Sequence, residues 1–407
     1  MRDGRHVRTL ALAFAAALIA ACSDASITAP DAPAERTAAA TAVAPTAQAR
    51  LASVRWNALA RDLVAAEGTA PPIAARYYAL LGVAQQRAAE AAHASGHGRP
   101  APQLHDAVRA AVVSASAEVL AYAFPARAAR LRQTERADLE SIDAQGPART
   151  NLSSAQQLGA DAARVVILDA ATDGSDAVWT PHIPTGPGKW VLDPAAGMPL
   201  LPLWGSVRPW LLESGSQFRP PPPPAFTSPE YANALAEVRR ISDTRTPEQL
   251  RITQYWSDGA GTATPPGHWN AIAADLAERH HLDEERATQM FAFLNMALMD
   301  AGIACWDAKY TYWLIRPSQA DPLITTPVGL PNFPSYVSGH ATFSGAASTL
   351  LGAVFPSARR DLQAMADEAA MSRLYGGIHY RFDNDQGLAL GRKIGALAVA
   401  RLRQRGR

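Results

Sequence analysis

Cysteine is almost absent from this sequence. Only Cys22 and Cys305 occur in 407 residues, so a small disulfide-stapled fold is excluded and stability must come from a buried core. An excess of charge of one sign is also missing: 38 Lys and Arg face 37 Asp and Glu, a formal net charge of +1. A chain this balanced lacks the basic field that nucleic-acid binding needs, so no nucleic-acid partner is expected and any anion site must be local. Convincing alternating strands are absent, which argues against a sheet. No phosphate-binding loop or dinucleotide fingerprint appears.

The N-terminus reads as an export signal. Arg2, Arg5 and Arg8 precede an apolar run over residues 10–21 that is too short to span a bilayer as a mature helix. The stretch Leu18-Ile19-Ala20-Ala21-Cys22 resembles a bacterial lipobox. Residues 1–22 are therefore read as a lipoprotein signal peptide whose Cys22 is lipidated and becomes the new N-terminus, anchoring the chain at the periplasmic face of a membrane or the cell surface. No other membrane contact is expected. Residues 23–48, rich in Ala, Pro and Thr, suit a flexible tether.

Beyond the tether, residues 49–172 carry Ala, Leu and Val at helical spacing over 54–66, 74–92, 104–122 and 155–171, as packed helices would. Residues 173–228 form a Pro/Trp-rich connection without periodicity, whose run of prolines at 220–224 reads as a rigid surface segment. Helical signals return over 229–407, at 231–240, 271–280, 284–315, 340–354, 359–374 and 387–403. The expected fold class is all-α, a helical bundle with its chemistry in the C-terminal region.

Three elements carry that chemistry. Lys309 and Arg316 stand seven residues apart at the end of a long apolar segment; on a continuous helix both would project from one face, and buried cations require an anion. Pro317 is expected to stop that helix at Arg316. Next comes Ser338-Gly339-His340 before a small, apolar run, the pattern of a helix start where backbone N–H groups and the dipole attract anions. Taken alone, Ser338 suits a plain helix cap better than an anion site. Third, Arg373 precedes a glycine pair, and His379 and Asp383 follow four residues apart, so that on a helix the carboxylate holds and polarises the imidazole.

Taken together, K-x6-R-P, S-G-H and S-R-x5-H-x3-D resemble, in order, the signature of the vanadium-dependent haloperoxidase and type 2 phosphatidic acid phosphatase superfamily. Trp256-Ser257-Asp258-Gly259, Thr264-Pro265-Pro266 and Asp300-Ala301-Gly302-Ile303 bring the resemblance closest to the fungal-type chloroperoxidases. The resemblance implies a helical bundle of the acid phosphatase/haloperoxidase type. It also implies that Lys309, Arg316, Arg373, the Ser338 hydroxyl and the Gly339 N–H bind the oxygens of vanadate. His379 matches the metal ligand, His340 the acid–base histidine, Asp258 a carboxylate paired with the active-site lysine, and Asp383 the support of His379. Trp306 and Phe333 match aromatic residues near the halide site. Where the superfamily usually has proline before Ser-Gly-His, this chain has Val337.

Two activities follow from such a cage. One is vanadate-dependent oxidation of halide by hydrogen peroxide to hypohalous acid; the alternative is hydrolysis of phosphate monoesters with no cofactor, through a phosphohistidine at His379. The partners are small molecules in either case. The pair His93 and His97, and likewise His105, His182, His268, His280 and His281, are read as structural or surface residues.

Overall fold

The computed structural model describes residues 51–96, 98–145 and 152–405. Cys22, the signal peptide and the tether lie outside the described residues. Among those described there are thirteen α-helices and no strands. They are α1 (Ala52–Ala66), α2 (Pro71–Ser95), α3 (Ala101–Ala123), α4 (Ala128–Gln145), α5 (Ser153–Ala170), α6 (Pro229–Asp243), α7 (Pro247–Tyr255), α8 (Thr264–Arg279), α9 (Glu284–Tyr312), α10 (Pro317–Ala320), α11 (Gly339–Val354), α12 (Arg359–Tyr375) and α13 (Arg381–Arg405). No described helix is long and apolar enough to cross a membrane.

Helix α9 is the axis. Its 29 residues span about 43 Å at 1.5 Å per residue, and it is buried on nearly every side from Ala287 to Lys309, as a helix apolar all round must be. On one side α2 comes close enough that a Cβ on Gly82 would lie 2.9 Å from the Phe291 carbonyl oxygen. The N-terminal helices α1–α5 and the later helices share one apolar core. Buried polar groups are paired across that core: Glu284 accepts from the first N–H groups of α1, Ala52 and Ser53, at 2.8 Å each, which completes an otherwise unsatisfied helix start.

The Pro/Trp-rich segment is fastened along α9 by carboxylates. Asp300, fully buried, accepts from the backbone N–H groups of Trp210, Leu211 and Leu212 at 2.7–2.8 Å. About two turns further on, Asp307 takes both forks of Arg219 at 2.6 and 2.7 Å. A segment without periodicity thus acquires a fixed place from hydrogen bonds to the helix beneath it.

The C-terminal half turns on the seam between α11 and α13. Gly387, Gly391 and Gly395 of α13 lie at four-residue spacing, and a Cβ on each would fall 2.8, 2.1 and 2.6 Å from the carbonyl oxygens of Ser338, Thr342 and Ala346. The two backbones are therefore in direct contact, which only glycine permits.

Several sequence expectations are corrected. The helix expected over 284–315 ends at Tyr312, because Trp313 adopts the left-handed conformation (φ 54°). The chain then runs extended: Leu314 bridges to Lys189, Trp190 N–H donates to Trp313 O at 2.7 Å, and Ile315 N–H to Gly188 O at 2.9 Å. Tertiary hydrogen bonds, not Pro317, stop the helix. Helices α4 and α7, polar and short respectively, carry no periodicity strong enough to be expected, and α13 begins at Arg381 rather than 387.

Closing the seam with a methyl group tests its role. Gly391→Ala is expected to destabilise the fold by about 1–3 kcal/mol through overpacking, read as a lower denaturant midpoint.

Candidate active site

Lys309 occupies the last turn of α9 and is fully buried. Its Nζ donates to the carbonyl oxygens of Pro334 at 2.8 Å and Ser335 at 2.9 Å. Arg316 lies beyond the helix, in the extended segment, and the expectation that the two cations share one helical face is corrected accordingly. Its Nε donates to Phe333 O at 3.0 Å and its Nη1 to Ile378 O at 2.8 Å, while the buried Nη2 has no partner. The two cations converge by tertiary placement: Nζ of Lys309 and the guanidinium of Arg316 each lie 5.0 Å from the Phe333 ring centre.

Ser338 caps α11, its Oγ accepting from Ala341 N–H at 3.5 Å. Gly339 and His340 are thus the first helical residues, and their N–H groups have no acceptor within the helix. Ser338 N–H donates to Asp383 O at 3.0 Å, tying this helix start to that of α13. Arg373, in the last turn of α12, is held by Ser372 Oγ at 2.9 Å and Thr253 O at 3.0 Å. The chain then reverses at Gly377, where φ is +70° and a Cβ would meet Thr325 O at 2.6 Å, so glycine is required there.

His379 follows that turn and precedes α13, so its bond to Asp383 spans a helix start; the expected pairing within one helix is corrected. The Asp383 Oδ2 atom accepts from His379 Nδ1 at 2.9 Å, from Tyr380 N–H at 3.1 Å and from the Ser335 hydroxyl. Nδ1 therefore carries the proton and the lone pair of Nε2 faces the cations, with Arg316 Nη1 donating to it at 3.1 Å.

Burial dominates the electrostatics. Desolvation pushes the Arg316 and Arg373 guanidiniums down to about 10 and lowers Lys309, with like charge on Arg316 adding to the effect. His379 is held well below its ordinary value by burial and then by Arg316, Lys309 and Arg373; His340 by burial and then by Arg373. Asp383 is raised by burial. Three buried cations and two neutral imidazoles make a site short of negative charge, which an oxyanion relieves. No group of three or more His, Cys, Asp or Glu suited to a bare metal ion occurs among the described residues.

These groups meet at a cavity of about 420 Å³ whose lining includes Asp258, Trp306, Phe333, Gly339, His340, Arg373 and His379. Lys309 and Arg316 do not line it but sit behind two residues that do, both against the Phe333 ring and Arg316 also against His379 Nε2. Trp306 and Phe333 pack with centroids 5.0 Å apart, the Trp306 indole donating to Leu200 O at 3.1 Å. Gly68–Pro71 and Val328–Pro331 form much of the outer wall; being loops without motif, they gave no sequence signal.

Asp258 is not where it was expected. Lys309 spends its donors on backbone carbonyls, whereas Asp258 faces His268 Nδ1 at 3.2 Å and His340 Nε2 at 3.8 Å, and its charge acts on Arg373. Its left-handed backbone (φ 42°) turns the carboxylate toward α8 and α11, away from the end of α9. His268, read from the sequence as structural, belongs to this cluster; its signal would have been the ten-residue spacing to Asp258, which no periodicity marks.

The VCPO second helical-bundle domain family matches residues 289–322 and 358–406. A curated relative, vanadium chloroperoxidase of Curvularia inaequalis, is 31% identical over 148 residues, 28% of this chain and 24% of the relative. The chain thus matches about a quarter of that relative's length. A solved bacterial vanadium-dependent iodoperoxidase superposes over 86% of this chain and 95% of its own, with a TM-score of 0.73 and 28% identity. The chain is thus similar to the vanadium haloperoxidases in its second helical bundle and in its fold. A holo-type bacterial vanadium-dependent chloroperoxidase shares the fold at 16% identity, with a TM-score of 0.65 over 84% of this chain and 96% of its own. The match to that second bundle covers most of α9, α12 and α13, the helices that carry Lys309, Arg373 and Asp383.

Two outcomes follow from the charge deficit. Removing the guanidinium whose Nη2 is unpartnered, in Arg316→Ala, should weaken orthovanadate binding roughly 10- to 100-fold in calorimetric titration, the worth of a charge-assisted hydrogen bond. The second concerns pH. His340 and His379 have folded values below their unfolded ones near 6.5, so the unfolded chain binds more protons and stability is lost as pH falls through that range; Lys309 acts in the same direction and Asp383 opposes. The anion-free protein should melt at a lower temperature at pH 5.5 than at pH 8, and orthovanadate should narrow the gap.

Proposed function

We propose that this protein is a vanadate-dependent haloperoxidase that uses hydrogen peroxide to oxidise halide to hypohalous acid. The observation that carries the reading is the set of three buried cations around a neutral His379 whose Nε2 faces them, beside a cavity walled by Trp306 and Phe333. The names of the relatives support peroxidase over phosphatase chemistry. In sum, halide, hydrogen peroxide and one proton give hypohalous acid and water.

The residues present fit vanadate. Arg316, Arg373 and Lys309 offer fixed positive charge, the orphaned Arg316 Nη2 an unused donor, and the start of α11 its N–H groups and dipole. His379, with its Nδ1 proton committed to Asp383, offers one imidazole lone pair. When bound, vanadate supplies a Lewis-acidic centre that activates peroxide toward halide.

The chain's own residues do the rest. Lys309, Arg316 and Arg373 hold charge that develops on oxygen without reorganising, because each is anchored to backbone or neighbouring side chains before anything binds. Partly buried and neutral, His340 accepts a proton at Nε2, which has no hydrogen-bond partner among the described residues, and Asp258 Oδ2 at 3.8 Å stabilises the imidazolium that results. Asp383 keeps His379 in one tautomer and one orientation. Phe333 and Trp306 exclude water around Lys309, strengthening its field. Lipidation at Cys22 and an exported location belong to the same proposal; mass spectrometry of the N-terminal peptide from cell membranes is expected to show an acylated Cys22.

Mature protein supplied with orthovanadate, peroxide and chloride, bromide or iodide is expected to halogenate a reporter dye, and His379→Ala to abolish this. Asp383→Asn, which leaves His379 poorly oriented, should cost roughly 10- to 100-fold in activity or vanadate affinity. Phosphate-ester hydrolysis inhibited by vanadate, with no halogenation of any halide, would instead assign the cage to phosphohistidine chemistry.

A further inference from the structure

A histidine outside the three motifs shares a carboxylate with His340. His268 lies on the second turn of α8, and its Nδ1 faces both oxygens of Asp258, at 3.2 and 3.3 Å. The ring is fixed from both sides: it stacks on Trp256 with centroids 4.4 Å apart at 21°, and meets Tyr255 edge-on at 5.2 Å and 75°. Its Nε2 points to the Tyr255 hydroxyl at 3.4 Å, and Tyr255 is 47% exposed. On the other side of the carboxylate, Oδ2 lies 3.8 Å from His340 Nε2. Asp258 is thus clamped between an inner imidazole at the cavity and an outer one that reaches toward solvent.

Asp258 is held there at a cost. A left-handed backbone (φ 42°) in a non-glycine residue is sparsely populated, and such strain persists only where the surroundings over-determine it. The N–H of His268 is one such determinant; the attraction of Arg373 pulls the carboxylate elsewhere. The groups facing Asp258 and the two imidazoles are Tyr255 from α7, Arg373 from α12, Lys309 from α9 and His379 on the His340 side and, through its bond to the Trp256 indole, Glu368 of α12.

We propose that His268 is a positioning residue for the acid–base histidine: through Nδ1 it holds Asp258 so that the second oxygen faces His340, and the two imidazoles compete for one carboxylate. The competition has a sign. A proton on His268 takes up the negative charge of Asp258 and repels a second proton at His340, so charging the outer ring lowers the proton affinity of the inner one. With His268 removed, Asp258 serves His340 alone and its proton affinity rises. This inference rests on the haloperoxidase reading for its kinetic consequence but not for its structural one.

The test uses the full chain in three forms: unaltered, His268→Phe, which keeps the stack on Trp256 without a donor, and His268→Asn, which keeps an N–H donor but cannot become charged. NMR titration of histidine-labelled, vanadate-free protein reads His340 directly. Its midpoint should rise by at least about half a pH unit, roughly threefold in proton affinity, in both variants. The acid limb of the kcat profile for bromide oxidation should move up in parallel with KM little changed, kcat at the plateau falling in the Phe variant and recovering in the Asn variant. An unmoved His340 midpoint, or an Asn variant no better than Phe in kcat, would make His268 a packing residue and overturn the inference. If the Phe variant does not fold, the midpoint in the Asn variant decides alone. A shifted midpoint without halogenation by any form, the unaltered protein included, would sink the peroxidase reading and leave the His268 assignment standing.

Discussion

Burying a cation without its counter-charge is among the most expensive things a fold can do, and this one does it three times within one site. Lys309, Arg316 and Arg373 are all 2% exposed or less. Each is stabilised chiefly by neutral acceptors: the carbonyls of Pro334, Ser335, Phe333, Ile378 and Thr253, and the Ser372 hydroxyl. Such dipoles fix orientation but do not cancel charge. Of the two carboxylates whose charge reaches them, Asp383 is itself engaged by His379, Ser335 and Tyr380, and Asp258, which acts on Arg373, is shared with His268 and His340. The arrangement stores a demand for an anion, and the rest of the architecture serves to keep the three groups from escaping to water.

That retention comes from elements distant in sequence. Helix α9 is sheathed by the Pro/Trp-rich segment, which Asp300 and Asp307 pin down, and by α2 behind it. The extended stretch after Trp313 is tied to residues 188–190 and to Ser335, so Arg316 cannot swing outward. Arg373 is fixed against the carbonyl of Thr253 on α7, which links the helix before the Asp258 loop to the cage. Motif residues supply charge and lone pairs; segments with no motif supply their positions.

Much of this was legible from the chain. Helical class, most helix cores and the cluster of Lys309, Arg316, Ser338, Gly339, His340, Arg373, His379 and Asp383 follow from periodicity and from a signature whose spacings reflect chemistry. What was illegible depends on tertiary hydrogen bonds. Nothing local predicts that Trp313 turns left-handed, because the segment through Ile315 is as apolar as the helix before it. The pairing of Asp258 with the active-site lysine was implied by resemblance alone, and the backbone at Asp258 points the carboxylate toward His268 and His340 instead. His268 carries no motif that sets it apart from the other histidines, and its place beside Asp258 and Trp256 comes from tertiary packing.

The glycine seam between α11 and α13 has a bearing on how such a site changes over evolutionary time. Helix α11 carries Ser338, Gly339 and His340; α13 carries Asp383, and with it the orientation of His379. Since these helices touch main chain to main chain at Gly387, Gly391 and Gly395, their separation is set by the radii of backbone atoms and not by any side chain that drift could enlarge or shrink. The cage therefore has a fixed gauge. The walls around it, built from the loops at 68–71 and 328–331, carry no such constraint, so lineages sharing this scaffold are free to remodel what enters the cavity while the spacing of the groups that act on it stays the same.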